Sequence, residues 1–128
     1  MDIVSAPLDS LHADPANARQ HGDRNLDAIR ASLATFGQVE PLVVHAATKR
    51  VIGGNGRLTA MRALGWTHAD IVEIDVSETQ ATALGIALNR TAELAEWDEQ
   101  ALGKILQSLP DLEGVGFDDA ELKPSLPT

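Results

Sequence analysis

Residues 51–65 read VIGGNGRLTAMRALG, and this stretch decides how the chain folds and where its chemistry sits. Val51 and Ile52 are β-branched and favour an extended chain. Gly53, Gly54 and Gly56 follow at once. A helix is then predicted over 55–64, with Leu58, Met61 and Leu64 on one face and Gly65 as its stop. The unit is strand, glycine turn, helix. Glycine allows positive φ and a close approach of backbone to ligand. The first N–H groups of the helix lack intrahelical partners and lie at the positive end of its dipole. An anion placed there meets several donors at once. Arg57 adds a cationic fork suited to phosphate oxygens, and Asn55 can donate or accept beside it. The same residues also describe a structural tight turn with a solvated or salt-bridged Arg57. The spacing matches neither G-x-x-x-x-G-K-[ST] nor G-x-G-x-x-G, which disfavours a P-loop kinase or a Rossmann dinucleotide fold.

Working outward, residues 3–8 alternate weakly and suit a first strand. Residues 11–23 have loop composition, rich in Asp, Asn, Pro, Gly and His. Leu26, Ile29, Leu33 and Phe36 recur at helical spacing, which predicts a helix over 24–36 with Asp23 as N-cap and Gly37 as C-cap. Residues 42–45 form a strand after Pro41, 46–49 turn the chain, and 50–53 return as its partner. Residues 70–76 alternate, with Val72, Ile74 and Val76 on one side and Glu73 and Asp75 on the other. Ser77-Glu78-Thr79-Gln80 is a capping box opening a helix to about Leu88, with continuation past Asn89 open. Asp98 caps a further helix carrying Leu102, Ile105, Leu106 and Leu109 and ended by Pro110. A short turn of helix is expected near 118–122. The fold class is therefore α+β: a few-stranded mixed sheet packed with helices and a helical C-terminal third. Residues 1–110 form one domain, and 111–128 read as a C-terminal extension or linker.

Composition narrows the function. The chain has 128 residues, enough for one domain, and 44% hydrophobic content with few aromatics, so the core is aliphatic. No cysteine is present, which removes disulfides, thiolate nucleophiles and Cys-ligated metals together. No apolar stretch suits a signal peptide or a membrane span, so the expected setting is cytoplasmic, with no membrane partner. Residues 1–66 hold 7 Lys+Arg against 6 Asp+Glu, whereas residues 67–128 hold 3 against 13, giving the net −9. Such an acidic chain is a poor unaided binder of duplex DNA. The near-neutral half can still hold one small anion.

Other candidates are weaker. Asn89 and Arg90 can reach the same anion from another helix, or form an ordinary surface pair. Asn17 and Arg19 lie in the early loop, where Asn also makes turns. His12, His21, His45 and His68 lack metal-ligand spacing and read as loop or surface residues; no metal site is assigned. Glu93, Glu96, Asp98 and Glu99 read as a capped, solvated helix start, and Trp97 as a core plug.

Taken in order, these segments resemble the ParB/sulfiredoxin-like superfamily, the ParB-like nuclease or ParB N-terminal domains, of the phage or mobile-element type. Pro15-Ala16-Asn17-Ala18-Arg19 is similar to its N-P-x-x-R opening. Residues 36–44, FGQVEPLVV, are similar to its G-x-x-x-P strand start, and 51–60 to its G-x-x-R box. Leu88-Asn89-Arg90 with Trp97-Asp98 resembles its N-R…W-D segment, and Gly116-Phe117-Asp118-Asp119 its G-F-D-D turn. The resemblance spans about residues 4–122. It implies a site for a nucleoside triphosphate, CTP or ATP, with Mg²⁺ as a companion ion. Gly53, Gly54, Asn55, Gly56 and Arg57 would lie at the phosphates, with Asn89 and Arg90 opposite and Asn17 and Arg19 lining the same pocket.

It also implies a role in DNA partition, modification or transcription, including association with DNA methyltransferases. DNA would be reached through a partner or an additional domain, and a homodimer is compatible with the reading. Asn55 stands where sulfiredoxins carry their cysteine, which excludes sulfiredoxin activity. The G-E-R-R box of partition proteins is here Gly54-Asn55-Gly56-Arg57. An enzyme of this kind would be at most a weak NTPase or a nuclease, with Glu40 or Asp98 as base. An acidic adaptor for a partner protein is the remaining alternative.

Overall fold

A computed structural model of the chain describes residues 1–15, 21–118 and 120–121. Among the described residues, four strands form one sheet in the order β1-β4-β2-β3. They are β1 (Ile3–Pro7), β2 (Leu42–His45), β3 (Val51–Gly53) and β4 (His68–Ile74), and the helices are α1 (Asp23–Phe36), α2 (Asn55–Ala63), α3 (Glu78–Glu93) and α4 (Glu99–Ser108). β1 runs antiparallel to β4, β4 parallel to β2, and β2 antiparallel to β3. The sheet is mixed, as expected. The parallel β2–β4 pair requires a crossover, and β3 and α2 supply it.

One face of the sheet carries the main core. Leu42, Val44, Val51, Ala69 and Ile71 meet Leu33 of α1 and Leu58 and Met61 of α2 there. The other face holds Ile52 and Val72, each one residue out of phase with that core and therefore on the opposite side. Ala81 and Gly85 of α3 are buried as well. A Cβ on Gly85 would stand 3.3 Å from Ile52 Cγ2 and 3.4 Å from the Ile52 carbonyl, so α3 lies close against β3.

Several boundaries differ from the sequence reading. Gly22, not Asp23, occupies the N-cap of α1; Asp23 is the first helical residue, where its charge suits the dipole. β3 starts at Val51, because Arg50 pairs in a lone bridge with His12. β4 begins two residues early and buries Ala69 and Ile71 as well as Val72, so both of its faces are covered. The capping box of Ser77 and Gln80 is present in full, and α3 continues through Asn89 to Glu93. Asp98 caps α4 by accepting from the Ala101 N–H.

Some apolar positions turn outward. Phe36, Leu64, Ile105 and Leu109 are exposed at helix ends or on the outer face of α4. Trp97 is 68% exposed and meets Phe117 edge-on at 5.8 Å, so it is not a core plug. His45 departs the other way, at 1% exposure inside β2. Its Nδ1 lies 2.8 Å from the Thr48 hydroxyl and its Nε2 2.7 Å from the Val76 carbonyl. The carbonyl can only accept, so Nε2 carries the proton and a buried polar ring is satisfied on both sides. Near the C-terminus, Asp118 and Glu121 exchange side chain-to-backbone bonds, consistent with a helical turn opening at 118. Leu122 lies outside the described residues.

Candidate functional site

The glycine turn opens α2 at the edge of a cleft of about 280 Å³. Gly54 is the N-cap, with φ +100°. A Cβ there would sit 2.6 Å from Leu42 Cδ2, so both conformation and space call for glycine. Gly56 is buried, and a Cβ on it would meet the His21 ring at 2.7 Å. Gly53 does not face the cleft; it packs against Leu88 of α3 and Val43.

His21 and Asn25 form a second wall from the start of α1. Their side chains are joined at 2.5 Å, and because Oδ1 of Asn25 accepts, His21 Nδ1 donates. Two helix N-termini, those of α1 and α2, therefore converge on one cleft. Asn89 and Ala92 of α3 close the far side. Asn89 Nδ2 donates to the Gly85 carbonyl at 3.1 Å. Arg90, one position on, is turned about 100° around the helix. It is exposed and pairs with Glu93 at 3.7 Å, away from the cleft lining. Asn17 and Arg19 lie outside the described residues.

Arg57 separates this cleft from an adjoining one of about 330 Å³, lined by Ile29, Leu33, Gln38, Val39, Glu40 and Val115 among others. Its guanidinium donates to the Glu40 carbonyl at 2.7 Å and the Pro41 carbonyl at 3.4 Å. Burial lowers its pKa from the ordinary arginine value, and the nearby Glu40 carboxylate partly offsets this. The two contacts use two of its five N–H donors, so a phosphate can still be gripped. Asn55 lines the cleft, yet its carboxamide is engaged: Nδ2 donates to the Val51 carbonyl at 2.9 Å and Oδ1 accepts from the Asp14 N–H at 3.0 Å. The sequence reading missed His21. Its one local signal is Asn25 four residues on, whereas its contact with Gly56 joins segments from different helices.

Among the described residues no carboxylate lines the first cleft, and no cluster of His, Asp or Glu is arranged to hold a metal ion. No helix among them is long and apolar enough to cross a membrane.

The model of the ParB N-terminal domain family matches residues 1–92. The chain belongs to the ParB N-terminal domain family. This ParB-type domain is 32% identical over 76 residues to the transcriptional regulator NovG of Streptomyces niveus, covering 59% of the chain but 24% of NovG, so it spans about a quarter of that relative. Its fold is similar to the C-terminally truncated chromosome-partitioning protein ParB from Caulobacter crescentus complexed with CTP-gamma-S. That match has a TM-score of 0.83 and 15% identity, over 98% of this chain and 77% of the other. The same Caulobacter protein complexed to the centromeric parS site matches with a TM-score of 0.56, at 15% identity over 95% and 63% of the two chains. Sulfiredoxin from Arabidopsis thaliana matches with a TM-score of 0.55 and 17% identity, over 62% and 92%. At these identities the structural matches establish the ParB-like fold.

Proposed function

We propose that this ParB-type domain binds a nucleoside triphosphate, CTP or ATP with Mg²⁺, at the glycine-turn cleft. The observation that carries the reading is the convergence of two helix N-termini on one cleft with a partly buried cation on its wall. Helix N-termini attract anions, and a triphosphate needs several donors at once. The phosphates would meet the backbone of Gly54, Asn55 and Gly56, the Arg57 fork and the His21 ring, with Asn89 opposite. Gly53 and Arg90 stand back from the ligand in this reading. The more apolar adjoining cleft, reached past Arg57, has the room and character for the nucleoside. That the Caulobacter ParB was captured with a CTP analogue agrees with this assignment.

Binding with slow or no hydrolysis fits better than a nuclease or phosphotransferase, because among the described residues no carboxylate lines the phosphate side. Asp98 is occupied as a helix cap. The domain would serve DNA partition, modification or transcription inside the cell, meeting DNA through a partner or a further domain because its surface is acidic. Calorimetric titration with CTP, ATP and GTP plus Mg²⁺ tests the reading. Saturable heat with one of them, lost in Arg57→Ala, is the expected result; no heat with any nucleotide would overturn it.

A further inference from the structure

Beside the cleft lies a largely buried charged pair that does not line it. The carboxylate of Asp14 is 5% exposed and the side chain of Arg50 14% exposed, with Asp14 Oδ1 3.4 Å from Arg50 Nε. Neither residue lines the cleft. Among the described residues, Arg50 Nε and Nη2 are buried without a hydrogen-bond partner, so Asp14 supplies the charge that balances this guanidinium. Burying such a pair is costly unless its geometry is fixed, which makes the arrangement rigid.

The pair also lies between the glycine turn and α3, which carries Asn89. The segment before Asp14 is zipped to β3: the His12 N–H donates to the Lys49 carbonyl at 3.0 Å and the Val51 N–H to the His12 carbonyl at 2.8 Å. At its end, the Asp14 N–H donates to Oδ1 of Asn55, the first residue of α2. On the other side, Asp14 Oδ2 lies 3.9 Å from where a Cβ on Gly85 would stand. Gly85 in turn accepts the side-chain bond of Asn89. One carboxylate thus sits between the glycine turn and the helix that presents the opposing wall.

We propose that Asp14 and Arg50 are positioning residues that set the distance between the glycine turn and the Asn89 wall, and with it the grip on the phosphates. The proposal rests on the nucleotide reading above for its ligand and not for its geometry. The Asn55 carboxamide, held by Asp14 on one side and Val51 on the other, transmits the register of the loop to the first N–H groups of α2.

The test measures CTP and ATP affinity of the full chain, its melting temperature and the amide ¹H–¹⁵N shifts of Gly54 and Gly56, for Asp14→Asn, Arg50→Met and Arg50→Lys. At metal sites, groups that hold the ligands in place typically change affinity by about tenfold or more when removed, and the same order is taken for the groups beside this cleft. The expected result is that Asp14→Asn and Arg50→Met weaken nucleotide binding about tenfold and displace both glycine amides at a temperature where each variant is fully folded. Arg50→Lys, which keeps the charge, restores both. A merely structural pair would lower the melting temperature and leave affinity and glycine shifts as in the parent. That outcome, or equal behaviour of the Lys and Met variants, would overturn the proposal. If the parent binds no nucleotide, the functional reading fails by itself, while displaced glycine amides in Asp14→Asn still support the positioning role and undisplaced ones refute it.

Discussion

Replacing Arg57 by alanine separates the ways its guanidinium can act. In the free protein it donates to the Glu40 carbonyl at 2.7 Å, a charge-assisted bond worth about 1.5–3 kcal/mol. The Pro41 contact at 3.4 Å is at the edge of useful distance and adds little. Burial works against the cation, as its lowered pKa indicates, so the net stabilisation falls at the lower end of that range. For a domain of this size about 1.5 kcal/mol corresponds to a fall in melting temperature of roughly 4–8 °C. The ligand side is larger. Losing one cationic fork on a phosphate costs about 1.5–3 kcal/mol, or about 10- to 150-fold in Kd. Arg57→Lys keeps the charge but cannot hold a carbonyl and a phosphate with one planar fork, and is expected to fall between the two. Thermal melting reads the first effect and calorimetric titration with CTP and ATP the second. If the alanine variant melts lower yet binds nucleotide within about twofold of the parent, Arg57 is a clamp on the 40–41 backbone and the phosphate assignment is wrong.

Three further substitutions test the frame around the site. Gly54→Ala forces a side chain onto φ +100° and into Leu42 at 2.6 Å, with an expected loss of about 2–5 kcal/mol in urea unfolding; a loss below about 1 kcal/mol would mean the turn relaxes freely. His45→Leu strips the buried ring's partners from the Val76 carbonyl and Thr48 hydroxyl, costing about 1–3 kcal/mol by the same measurement; an unchanged midpoint would refute the role given to those bonds. Ser77→Ala removes half of the capping box and should cost about 1 kcal/mol, read by denaturation and by helical content near residue 78; no loss would show that α3 is held by packing alone.

What the sequence discloses and what it hides divide along chain distance. Ser77 and Gln80 satisfy each other three residues apart, and Asp98 reaches Ala101, so these caps are legible. The stripes Leu26–Ile29–Leu33 and Leu58–Met61 are legible for the same reason, as is the strand–turn–helix of residues 51–65. β4 misleads because both of its faces are covered, so Ala69 and Ile71 are buried as well as Val72 and alternation loses its meaning. His45 reads as a surface residue because one of its partners, Val76, lies 31 residues away. Trp97 reads as core because a large aromatic usually is, yet its contact with Phe117 leaves most of the ring in solvent.

The site divides in the same way. The glycines and Arg57 are coded within five residues, but the direction of the Arg57 fork is set by carbonyls at 40 and 41. Asn89 and Arg90 form a pair in sequence, whereas a helical step of about 100° sends one to the cleft and the other to Glu93; that separation is implied by helical geometry once the helix is known to run past residue 88. His21 has only Asn25 four residues on as a local signal, and Asp14 has none. Both meet the glycine turn only after α1 and the loop before it have docked, one against Gly56 and one against Asn55. A glycine-rich turn can thus be read locally as a place for an anion, but the residues packed around it are contributed from elsewhere in the fold. It follows that nucleotide affinity in variants of His21, whose ring lines the cleft beside Gly56, separates a nucleotide cradle from a tight turn more cleanly than in variants of the glycines, which both readings need.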